Sequence, residues 1–170
     1  GSDKSHLTIA DGERLSIKQL DNHPFKGTLV VNQDATLALY GVASIGGFGK
    51  VNLKQGTLLL TGEAKGVFGN EIITTKDDKT ALIKLDKQAD IHFTGDRSTY
   101  AGRFVLEDES RLTVTHAYAL GNHEYNQVTI GKEATLALNG FSHQLNNAIV
   151  GEGAIDLNDQ ASIGIKGDYS

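Results

Sequence analysis

Phe104-Val105-Leu106-Glu107-Asp108-Glu109-Ser110-Arg111-Leu112-Thr113-Val114 is the stretch that decides the fold. Apolar residues at 104 and 106, and again at 112 and 114, flank single variable positions. This is the period-two alternation of strands with one buried face. Between the two strands lies a short polar turn closed by the small residue Ser110. The same phrase occurs seven times along the chain. Its other copies pair Leu7-Thr8-Ile9 with Leu15-Ser16-Ile17, Leu29-Val30-Val31 with Leu37-Ala38-Leu39, and Val51-Asn52-Leu53 with Leu58-Leu59-Leu60. Further along, Ile83-Lys84-Leu85 pairs with Ile91-His92-Phe93, Val128-Thr129-Ile130 with Leu136-Ala137-Leu138, and Ile155-Asp156-Leu157 with Ile163-Gly164-Ile165.

Self-similarity at such a period is the mark of a solenoid. The second-half strands start 22, 21, 33, 21, 24 and 27 residues apart, with no amphipathic helix of adequate length between them. A shortest period near 21 suits one coil of a parallel β-helix, with about three strands of 4–5 residues and their corners. The expectation is an all-β parallel β-helix of about seven coils. The position two before each second-half strand is Glu13, Ala35, Gly56, Ala89, Ser110, Ala134 and Ala161, small in six of the seven cases. Small residues belong where a sharply bent corner must fit beneath the same corner of the next coil. The runner-up is an antiparallel sandwich of hairpins, whose strands have no reason to repeat one phrase in constant register.

The 170 residues read as one structural unit, 1–170, with no transmembrane run and with Gly1-Ser2 as a cloning scar. No cap is visible at either end of the repeat, so the chain is expected to be a piece excised from a longer protein. It has no Cys, Met or Trp, which suits a chain that crosses an oxidising compartment unfolded. Net charge is −5, with scattered Lys and Arg and no basic stripe, which argues against a nucleic-acid partner.

The segment Tyr100–Asn122 resembles the autotransporter-associated β-strand repeat. The matching features are Gly102 opening a strand, Leu106 before the turn, Leu112 and Val114 after it, and then Ala119-Leu120-Gly121. Ala134-Thr-Leu-Ala-Leu-Asn-Gly140 followed by Val150-Gly-Glu-Gly-Ala-Ile-Asp-Leu157 is similar to passenger-domain sequence as well. The resemblance implies a right-handed parallel β-helix from the secreted passenger of a Gram-negative type V secretion protein. A separate C-terminal outer-membrane barrel is then expected outside the chain, and an extracellular or cell-surface location. The 33- and 27-residue periods depart from the pattern and are expected to mark insertions or an irregular coil.

The side chains carry little recognisable chemistry. If copies stack in order, the outward columns read Thr8, Val30, Asn52, Lys84, Val105, Thr129, Asp156 and Ser16, Ala38, Leu59, His92, Thr113, Ala137, Gly164. Neither resembles the clustered carboxylates of a polysaccharide-degrading β-helix. Acids collect at the turns, where Asp86 is expected near Glu107 and Lys87 near Asp108, as solvated tips rather than an acid–base pair or a calcium site. His116, His123 and Glu124 match no common zinc spacing. Ser44, Ser98, Ser110 and Ser142 carry no nucleophile phrase. No catalytic residue, cofactor or metal is therefore assigned.

One stretch, 62–80, is long enough to be an inserted loop and a contact surface, with Phe68 and Ile72 as candidate apolar anchors. The alternative is that these residues cover the core within an irregular coil. The expected function is non-enzymatic: adhesion, self-association or presentation by an extracellular stalk. Expected partners are the chain itself, through weak salt-promoted association, or ligands on host or neighbouring cells. The alternative is the stalk of a secreted autotransporter protease or esterase whose catalytic part lies outside this chain.

Overall fold

The computed structural model describes residues 5–18, 26–42, 49–75, 78–116, 118–123, 126–140, 142–159 and 161–165. The first copies of the phrase form β1 (His6–Ile9) and β2 (Arg14–Lys18), then β3 (Thr28–Val31) and β4 (Thr36–Val42). β5 (Lys50–Leu53) leads into the twelve-residue β6 (Thr57–Phe68) and β7 (Glu71–Ile73). Next come β8 (Leu82–Leu85), β9 (Asp90–Phe93), β10 (Arg103–Leu106) and β11 (Arg111–Val114). The chain continues with β12 (Val128–Ile130), β13 (Thr135–Asn139) and β14 (Ser142–Leu145). It closes with β15 (Ile149–Gly151), β16 (Ala154–Asn158) and β17 (Ser162–Ile165). No helix occurs among the described residues.

Every strand pair described is parallel, which removes the antiparallel sandwich and leaves a parallel β-solenoid. In the central stack, β2, β4, the first half of β6, β8, β10, β12 and β15 lie in order. There Leu15, Leu37, Leu58, Ile83, Phe104, Val128 and Ile149 share one register position. Successive members are 21 to 25 residues apart, so this column is the true period of the coil. The rod makes about six turns, fewer than the seven copies suggested.

The difference arises because the phrase changes corner. In copies one to three it joins the β1-β3-β5-β7 stack to the central stack. In copies four to six it joins the central stack to a second one, formed by the end of β6, β9, β11, β13 and β16. In the seventh copy, Ile155-x-Leu157 pairs with Leu136-x-Leu138, and Ile163 pairs with His143 of β14. The phrase thus encodes one corner and not one coil. Copies stack on one another within the first three and within the next three, but not across the changes of corner: Asn52 lies beside Ile73, and Leu59 beside Lys84.

β6 makes the first change of corner. Its residues Thr57–Leu60 pair with β8, and Lys65–Phe68 pair with β9. The bend lies at Gly62 and Glu63, both at positive φ (64° and 61°), and there the Glu63 N–H donates to the Lys87 carbonyl (2.9 Å). The 33-residue step is therefore an ordinary coil plus an advance of one corner, with no insertion. Within the expected 62–80 loop, residues 62–68 complete β6 and 71–73 form β7. Phe68 (0 % exposed) and Ile72 (3 %) face the core and cannot serve as surface anchors.

Inward residues of all the stacks form one continuous apolar core. Phe68 stacks on Phe93 (centroids 5.3 Å), Phe93 meets Phe104 edge-on (6.0 Å), and Phe104 meets Tyr100 (5.2 Å). The small corner residues Ala35, Ala89, Ser110 and Ala134 are buried, each donating its N–H to the carbonyl three residues earlier. A larger side chain there would meet the neighbouring coil.

Candidate functional site

A concave surface follows the corner between the central stack and the β9-β11-β13 stack. Its turns, 86–89, 107–110 and 131–134, are each closed by an N–H to carbonyl bond of 2.9 to 3.0 Å. Lys87 and Gln88 have φ of 47° and 66°, and Asp108 and Glu109 have φ of 51° and 57°. Two consecutive positive φ values define a mirror-image turn, which usually selects Asn or Gly. Here long polar side chains occupy those positions and project from the corner. The turns stack directly, with the Gln88 N–H donating to the Asp108 carbonyl (2.9 Å) and the Gln88 amide to Glu109 Oε2 (3.0 Å).

Two adjoining hollows of about 410 and 530 Å³ run along this corner and share Glu63, Gln88 and Glu109. The first extends to Lys87, Asp108 and Glu133, the second to Lys65, Asp90 and Arg111. Lys65, Asp90 and Arg111 alternate in sign from coil to coil, whereas Glu63, Glu109 and Glu133 repeat one sign and are interrupted by the neutral Gln88. Such a groove offers hydrogen bonds and charge contacts spread along a rod. It differs from the mostly apolar clefts that enclose small-molecule ligands.

The acidic turn residues come together as column neighbours. Asp86 and Glu107 each follow the strand residue in register, Leu85 and Leu106. The Glu107 carboxylate is taken by Lys84 at 3.1 Å, and the Lys87 turn lies under the Asp108 turn. Other surface pairs are Lys50–Glu71 (3.3 Å) and Arg111–Asp156 (2.9 Å). Exposed pairs of this kind contribute about 0–1 kcal/mol each.

Of the histidine constellation, His116 and His123 alone lie among the described residues. His116 Nδ1 accepts the Tyr118 N–H (3.1 Å), and its ring lies 5.9 Å from the Tyr118 ring. The His123 N–H donates to Asn126 Oδ1 (2.9 Å), and Glu124 lies outside the described residues. No group of three or more His, Asp or Glu side chains is placed to hold a metal ion among the described residues. Ser110 is buried and donates to the Leu85 carbonyl (3.3 Å), and the Ser98 N–H donates to Asp96. Ser44 lies outside the described residues, as does the side chain of Ser142.

Sequence reasoning missed a buried polar scaffold that ties the coils together. The Arg97 guanidinium lies over the rings of Phe93 (4.8 Å) and Phe68 (5.5 Å). It donates to the carbonyls of Asn70, Phe68 and Thr94, tying two coils together. Burial lowers its pKa to about 10, so it stays cationic at neutral pH. Asn126 donates to the Tyr100 and Gly102 carbonyls, and Asn147 one coil on donates to Leu120 and Asn126. A signal for this ladder was present: both asparagines stand two residues before a strand of the central stack.

Fold and groove define the class as a parallel β-solenoid with a polar, laddered surface. No protein-family model, curated protein or solved structure matches the chain.

Proposed function

We propose that this chain is a segment of an extracellular rod, the passenger stalk of a Gram-negative autotransporter, and that it works by adhesion or presentation rather than catalysis. The observation that carries the proposal is the continuous parallel solenoid, whose turn tips line up coil on coil into a groove of mixed charge. The passenger resemblance of Tyr100–Asn122 supports the same reading. A rod of this kind binds through many weak contacts of fixed spacing, and polar ligands on cell surfaces suit it better than an enclosed small molecule. An outer-membrane barrel, supplied by sequence outside this chain, would hold it at the surface.

The test is binding of the purified chain to intact bacterial and host cells, with charge reversals in the groove. Glu63→Lys combined with Glu109→Lys should change cell binding several-fold while leaving the circular dichroism spectrum intact. Turnover of a peptide, ester or acidic glycan by the purified chain would overturn the proposal, as would cell binding indifferent to the groove.

A further inference from the structure

We infer that a separate polar hollow, on the corner between the β1-β3-β5-β7 stack and the central stack, binds a short oligosaccharide that carries a carboxylate. The hollow measures about 330 Å³, and its polar lining is Gln33, Asp34, Gln55, Thr57, Thr80 and Arg103. These residues come from four successive coils. The Asp34 N–H donates to the Gln55 carbonyl (3.3 Å), and Thr57, Leu82 and Arg103 share one register position. At about 4.8 Å per coil the lining spans roughly 14 Å along the rod. Its walls are fixed from within. The buried Asp78 carboxylate accepts the N–H groups of Gln55 (2.8 Å), Thr80 (3.1 Å) and Ala81 (3.0 Å), and the Thr80 hydroxyl (2.8 Å). It thereby pins the turn at Gln55 to the stretch at Thr80 on the next coil. The Arg103 backbone is held by its N–H on the Ala81 carbonyl (2.9 Å) and by the Tyr100 hydroxyl on its own carbonyl (2.7 Å).

The occupant follows from what this frame leaves open. Among the described residues, the side chains of Gln33, Asp34, Gln55, Thr57 and Arg103 make no hydrogen bond or ion pair. The Arg103 guanidinium and the Asp34 carboxylate line one hollow without meeting. A guanidinium only donates, a carboxylate only accepts, and amides and hydroxyls do both. A ligand with many hydroxyl groups and a carboxylate matches that set, with its carboxylate taken by Arg103 through paired N–H donors. The backbone, by contrast, is already spent. The N–H groups of Asp34, Gln55, Thr57, Leu82 and Arg103 all donate to other coils, so an extended peptide finds no main-chain donors there. Asp34 opposes a phosphate dianion in the same space. The site lies on a different corner from the mixed-charge groove and holds whichever way the surface-rod reading is decided.

Isothermal titration calorimetry on the purified chain at fixed ionic strength tests this. The probes are a linear hexuronate trisaccharide, its fully methyl-esterified form, triglutamate and inorganic phosphate. The trisaccharide should bind, the ester at least about tenfold more weakly, and triglutamate and phosphate more weakly still. Arg103→Gln should abolish the advantage of the acid over the ester. Thr57→Val, which removes a hydroxyl and keeps the shape, should weaken acid and ester alike by about fivefold. Neither side chain is buried, so circular dichroism should show both variants folded. No binding of the trisaccharide at millimolar concentration, an ester as tight as the acid, or an acid preference that survives Arg103→Gln would overturn the inference. Triglutamate or phosphate binding as tightly as the trisaccharide would overturn it too.

Discussion

Tyr100 and Arg97 are buried ionisable groups whose pH responses run in opposite directions. The Tyr100 hydroxyl is fully buried and donates to the Arg103 carbonyl (2.7 Å), and burial raises its pKa well above 10. An unfolded tyrosine ionises near pH 10 while the folded one keeps its proton. Its contribution is complete below the unfolded pKa and is lost as pH rises towards the folded one. Burial lowers Arg97 to about 10, so its contribution rises as pH climbs from there towards the ordinary arginine value. Comparing the parent chain with Tyr100→Phe in urea melts isolates the tyrosine, since Arg97 and the exposed tyrosines cancel. Tyr100→Phe should be less stable at neutral pH, having lost a hydrogen bond. Above about pH 10 the gap should narrow, by up to about 1.4 kcal/mol per pH unit. Parallel curves from pH 8 to 11 would show that Tyr100 is not buried as described.

At the scale of the element, the corner-turning phrase explains both what the sequence made legible and what it hid. Alternation predicted the strands, the inward side chains Leu37, Leu58, Leu112 and Leu136 are all buried, and the small residues fall at corners. The pairing of copies across a change of corner was not legible, because the phrase describes one corner while its strand partners depend on the length of the whole coil. Strand β6 was obscured for a related reason. Leu58, Leu60, Ala64 and Phe68 keep the same inward parity through the bend, yet Gly62 and Gly66 punctuate the stretch like a loop. The groove was half legible, since its acids were expected at turn tips with Lys87 near Asp108, while the Lys65, Asp90 and Arg111 row beside them was not foreseen. The turns themselves carry strain that can be measured. Glu109 sits at φ 57°, where a side chain costs about 1–2 kcal/mol, whereas the equivalent turn at Lys132 and Glu133 has no positive φ. Glu109→Gly should therefore be neutral or stabilising by up to about 1 kcal/mol. Glu133→Gly should destabilise by about 0.5–1 kcal/mol through unfolded-state entropy alone. Equal effects in chemical denaturation would contradict the two turn geometries.

Over the whole molecule, stability should be graded along the axis, because each coil is held only by its neighbours. The middle coils hold the Phe68–Phe93–Phe104–Tyr100 cluster and the Arg97 clamp, so both their faces are covered. The outer coils have neighbours on one side and expose Leu7, Ile155 and Leu157. Fraying from an end loses one set of strand pairs at a time, whereas opening the centre breaks two coil interfaces together. Amide hydrogen exchange on dilute chain should thus be slowest in β6, β8, β9 and β10, and fastest in β1 and β16. Phe93→Ala deepens the test. It removes a ring packed between those of Phe68 and Phe104, and buried Phe→Ala changes cost about 3–5 kcal/mol. The loss should appear first as faster exchange in β6, β9 and β11, which flank the cavity on successive coils, while the already frayed ends change little. Uniform protection along the chain, with the substitution lowering every amide equally, would mean that the solenoid unfolds as a single cooperative unit and that its coils are not the energetic repeat.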